Sequence, residues 1–144
     1  MMVKRNRETI EQKIIAGFFR GLWWLIKSPF YRAGEKKSFS LNDQKYLISR
    51  RQQIDQMLVS ENLSDLRQAV MEADKLIDWI LKKRNYKGQT FADRLRSAEK
   101  DIPKDIYNNI WQGHKIRNQV AHEDSDISSE TLRFAVKKIL TYNG

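Results

Sequence analysis

The ten residues His114-Lys115-Ile116-Arg117-Asn118-Gln119-Val120-Ala121-His122-Glu123 hold both histidines of the chain, with an arginine and an amide between them. Wound at roughly 100° per residue, His114, Asn118 and His122 fall on successive turns of one helix face, with Arg117 beside them. An imidazole titrates near neutral pH and can give or take a proton. A guanidinium stays charged and presents a fork of donors to phosphate oxygens. The chemistry open to this set is phosphodiester binding with proton transfer. A structural reading stands beside it: Arg117 pairs with Glu123 or with a carboxylate on a neighbouring helix, and His122 caps the helix end.

The elements that must position these residues read as helices. Ile102, Ile106, Ile110, Trp111, Ile116 and Val120 form the apolar side of the segment carrying the histidines, with Pro103 near its first position. Leu63, Leu66, Val70, Ala73, Leu76, Ile77, Ile80 and Leu81 repeat every three or four residues, predicting a long helix from about Asn62 to Arg84. Gly88 is expected to break the chain there, and Thr90 to cap a short helix over 91–100. Ser40 or Asn42 starts an earlier helix running to about Leu58, with Leu41, Tyr46, Leu47, Ile54, Met57 and Leu58 as its apolar side. After a polar turn over 123–126, Ser128 or Ser129 caps a last helix through Leu132, Val136, Ile139 and Leu140. Trp79, Tyr107 and Trp111, at helical spacing, are expected in the core.

Composition narrows the function classes. The chain has 144 residues, enough for one compact domain, with 6 Gly, 2 Pro and no Cys. Lack of sustained alternation argues for an all-α fold. Without cysteine there is neither a disulfide framework nor a thiolate metal site, and two histidines without HExxH spacing argue against a dedicated zinc site. We expect no metal and no cofactor. No Gly-rich phosphate loop, serine elbow or EF-hand loop is present.

Charge separates the two ends. Residues 1–60 carry 12 Lys/Arg against 5 Asp/Glu, and the rest 15 against 13, so most of the +9 lies early. Within that basic arm, residues 14–26 are the most hydrophobic run, interrupted by Arg20 and too short for the roughly 20 apolar residues of a membrane span. As a helix, Ile14, Ile15, Phe18, Phe19, Leu22, Trp23 and Ile26 share a broad apolar face flanked by Lys and Arg, suited to the headgroup region of an anionic membrane surface. Two other readings are an ordinary core helix and a short tilted insertion. Ser28-Pro29-Phe30 ends the run without a small-residue cleavage site, so no signal peptide is expected. The expected location is cytoplasmic, peripheral on the inner face of the membrane. Division follows at about residue 37: an amphipathic amino-terminal helix and hinge over 1–37, and a helical bundle over 38–144. General nucleic-acid binding through residues 1–51 is a further reading, ranked lower because the aromatic residues there cluster on the apolar face.

Arg117-Asn118-Gln119-Val120-Ala121-His122 resembles the Arg-x(4–6)-His signature of HEPN domains, in which a polar residue commonly follows the arginine. Its place agrees, at the end of the third long helix and before a polar turn and a closing helix. The stretch Ala69-Val70-Met71-Glu72-Ala73-Asp74-Lys75 also looks like the second helix of small bacterial members. The resemblance covers about residues 41–142 and implies an antiparallel four- to five-helix bundle, often a homodimer with facing Arg/His pairs. Many members are metal-independent endoribonucleases, frequently toxins or stress effectors held by a neutralising partner protein. Others keep the fold as binding or scaffolding modules. Carried over, Arg117 and His122 are the catalytic pair and Asn118 assists, with RNA as the substrate. His114, from its helix face, and Glu72 and Asp74, from their helix, are auxiliary candidates outside the signature.

Overall fold

A computed structural model of the chain describes residues 38–122 and 126–144. The membrane-contacting candidates Ile14, Ile15, Phe18, Phe19, Leu22, Trp23 and Ile26 lie outside the described residues, as do residues 123–125 of the expected turn, with Glu123, the candidate partner of Arg117. The described residues are all-helical: α1 (Leu41–Leu58), α2 (Leu63–Lys83), α3 (Phe91–Ser97), α4 (Lys104–Val120) and α5 (Ser129–Ile139). Among them, no helix is long and apolar enough to cross a membrane.

α2 is the axis of the bundle and packs on each of the other four helices, while α4 and α5 share the broadest contact. The cause is its apolar period: Leu66, Ala69, Val70, Ala73, Ile77, Ile80 and Leu81 are fully buried. α1 packs mainly on α2 and buries fully only Ile54. Leu41, expected on its apolar side, is 68% exposed, in the first turn of the helix. Trp79, Tyr107 and Trp111 sit half-buried at the margin of the core.

Helix starts follow local chemistry. Ser40 with Asp43 and Thr90 with Asp93 form reciprocal capping boxes, Asn62 accepts from the Ser64 N–H, and Ser128 caps α5. The end of α2 corrects the expectation for Gly88. Asn85 takes the left-handed conformation at φ 65°, its N–H donates to the Lys82 carbonyl, and the Tyr86 N–H reaches the Leu81 carbonyl. This is a Schellman closure, and buried Tyr86 supplies its apolar contact. α3 stops at Ser97, three residues early, since a turn at Ala98 carries Ile102 into the core.

Gly113 sets the rotation of α4. A Cβ there would meet the side chain of Ile139 and lie 2.8 Å from the Ala135 carbonyl oxygen, so only glycine admits α5 so closely. With Gly113 against α5, the next residue, His114, is turned toward α2 and α3.

Candidate functional site

Asp74 lies within the buried stripe of α2 at 5% exposure. A carboxylate there needs cationic or hydrogen-bonding partners. α4 provides two, three residues apart on one face. His114 Nδ1 lies 2.7 Å from Asp74 Oδ1, and with the carboxylate as acceptor this ring nitrogen is the donor. Arg117 Nε stands 3.4 Å from Asp74 Oδ2. That second contact is ionic and too poorly aligned for a hydrogen bond.

His114 is enclosed. Phe91 of α3 stacks on its ring at 4.3 Å and 19°, and Trp111 meets it edge-on at 5.9 Å. Its residue exposure is 9%, so it braces Asp74 from inside. Arg117 is only partly drawn in: its side chain is 29% exposed, and Nη1 donates to the Asn118 Oδ1 at 3.2 Å. Asn118 is exposed. His122 lies beyond the end of α4, past the Ala121 cap, with its N–H on the Gln119 carbonyl, and it is exposed. The expected row of His114, Asn118 and His122 therefore divides, its first member facing the core and the other two facing water.

Of the candidates, the fold joins Asp74, His114, Arg117 and Asn118 in one chain of contacts. Glu72 is not among them. Two residues from Asp74, it points to the other side of α2 and takes Lys75 Nζ at 2.9 Å, Gln68 Nε2 at 2.8 Å and Arg50 Nη1 at 3.7 Å. Among the described residues, no group of three His, Asp or Glu is placed to hold a metal. Chemically, the cluster offers a partly exposed cation braced by a buried carboxylate, with an amide and a second imidazole farther along.

Sequence reasoning missed a neighbouring cluster. Arg94 of α3 is 8% exposed; its Nε and Nη2 both lie 2.7 Å from Asp78 Oδ1, and Nη1 donates to the Gly88 carbonyl at 2.7 Å. Lys82 Nζ adds a contact to Asp78 Oδ2 at 2.6 Å. The signal was available, since two aspartates one turn apart beside the buried stripe of α2 each require a cation. No protein-family model, curated protein or solved structure matches the chain.

Proposed function

We propose that the bundle is a metal-independent endoribonuclease of HEPN type, with Arg117, Asn118 and His122 as catalytic residues. One observation carries the reading: Arg117 is anchored at Nε by buried Asp74 while its outer edge stays at the surface beside Asn118. A braced guanidinium loses little freedom on gripping a phosphate, which favours transition-state charge stabilisation.

The reaction needs one base, one acid and a cation at the phosphate. The 2′-oxygen attacks the adjacent phosphorus as its proton passes to a base, and the bond to the 5′-oxygen breaks as an acid protonates it. The products are a 2′,3′-cyclic phosphate and a 5′-hydroxyl. Arg117 holds the nonbridging oxygens, Asn118 steadies Arg117 or the sugar, and His122 performs one proton transfer. The His122 of a second copy in a homodimer fills the other role. Asp74 and His114 act as positioning residues. A neutralising partner protein belongs to this reading. So does contact of residues 1–37 with an anionic membrane surface, which rests on sequence and is checked by liposome flotation.

In EDTA, purified protein is expected to cut RNA to cyclic-phosphate ends, and His122→Ala to abolish cutting. Intact RNA with wild type, or unchanged cutting by the variant, overturns the proposal. The 3.4 Å approach of Arg117 to Asp74 also favours a second reading. In it, the arginine ties α4 to α2, and the domain is a membrane-associated adaptor that binds RNA, a nucleotide or a partner protein without cleaving.

A further inference from the structure

The outward face of α4 differs in composition from the site beneath it. Asn108, Gln112, Lys115, Asn118 and Gln119 are exposed, and Trp111 is half-buried among them. After Asp105 in the first turn, α4 carries no carboxylate, so this face spans roughly 16 Å of helix without one. Amides donate and accept without repelling phosphate, and they can match the hydrogen-bonding edges of unpaired bases. At the centre, Arg96 of α3 lies over the Trp111 ring at 5.7 Å, and Tyr107 meets that ring edge-on at 6.2 Å. Two carboxylates lie near: Asp93 is engaged by Arg96 at 3.3 Å and by the Thr90 cap, and exposed Glu99 acts on Tyr107 at the edge of the face. Cations at Arg96, Lys115 and Arg117 thus flank an aromatic ring along an uninterrupted polar track.

We propose that this face, from Asn108 to Asn118, is a binding track for single-stranded RNA that delivers the strand to Arg117. A base stacks on the Arg96–Trp111 pair, Lys115 takes a phosphate, and the amides contact base edges or sugar hydroxyls. A paired strand keeps its bases stacked inward, so the track selects unpaired RNA. The identity of the polyanion rests on the ribonuclease reading; the track itself rests on the charge and ring geometry of α3 and α4.

The test is fluorescence anisotropy of a labelled single-stranded oligouridylate with the full chain, read over a salt series. Lys115→Glu is expected to weaken binding roughly tenfold and to reduce the salt slope by about 0.7. Trp111→Ala should weaken binding roughly 5- to 100-fold. Lys45→Glu, the same charge change on the exposed side of α1, should leave affinity within about twofold. Equal losses at Lys45 and Lys115, or equal affinity for a duplex, overturn the track. A Lys115→Glu variant that binds RNA normally but dissociates a dimer in sedimentation also overturns it, and makes the face a contact between copies. Wild type that binds through Lys115 without cutting leaves the track standing and removes the nuclease. Cutting with unchanged KM in Lys115→Glu does the reverse.

Discussion

Asp74 and Asp78 stand one turn apart on α2, and each faces an arginine from a different helix. Arg94 is enclosed by its partners: three of its nitrogens are engaged at 2.7 Å and its side chain is 9% exposed. Arg117 meets its aspartate through Nε alone, at 3.4 Å, with its side chain 29% exposed. The difference lies in the backbone around them. The close approach of Gly88 to α3, where a Cβ would fall 2.6 Å from the Arg94 nitrogen, brings a carbonyl within reach of Nη1 and completes the cage. Asp74 instead divides its two oxygens between His114 and Arg117, so neither cation receives the whole carboxylate. The same pair of residue types thus makes a closed latch in one place and an open, braced cation in the other.

Removing each arginine in turn tests that contrast. Arg94→Ala leaves Asp78 with Lys82 as its remaining cation and the Gly88 carbonyl without its donor, and should cost about 2 kcal/mol, lowering Tm by roughly 5 °C or more. Arg117→Ala should stay within about 1 kcal/mol of wild type, since Asp74 keeps the His114 bond and the lost contact is partly solvated. Thermal unfolding followed by circular dichroism decides. Equal losses of Tm make Arg117 a latch like Arg94 and favour the adaptor over the nuclease. A stable Arg117→Ala chain that no longer cuts RNA supports the open site, and Arg117→Lys should not restore cutting, because an ammonium lacks the planar fork.

The all-helical fold was legible because its signals are local. The three-and-four spacing from Leu66 to Leu81, the Ser40–Asp43 and Thr90–Asp93 boxes and the Ser128 cap each act within one or two turns. Where the reading failed, a less conspicuous residue held the position. Asn85, in the left-handed conformation, ends the helix that Gly88 was expected to break, as an asparagine can. The candidate site was legible only in part. Spacing put His114, Asn118 and His122 on one face of α4 with Arg117 beside them, but which side of the helix meets α2 depends on where α5 lies. Gly113 against Ala135 and Ile139 decides that, turning His114 inward while Asn118 stays in water. The Phe91 ring on His114 and the Asp78–Arg94 cage join separate helices, so periodicity within one helix carries no trace of them.

A third aspartate extends the comparison to the edge of the bundle and has the smallest expected effect. Asp43 Oδ1 lies 2.8 Å from Lys83 Nζ, and its Oδ2 accepts the Ser40 N–H at 3.0 Å and the Ser40 hydroxyl at 2.8 Å. The Lys83 bond first, and then the Ser40 bonds, hold the Asp43 carboxyl down at about 2, against an ordinary value of 3.8. Because the folded value is the lower one, the stabilisation is complete above 3.8 and fades as pH falls through about 2. Asp43→Asn keeps a capping oxygen for the helix start and removes the charge that pairs with Lys83. Near neutral pH the variant should therefore melt slightly below wild type, by less in high salt, since the Lys83 side chain is 46% exposed. The gap should close as the medium is acidified through that window. A gap unchanged by acid assigns Asp43 to capping alone, and the graded series from Arg94 through Arg117 to Lys83 then ends at its second member.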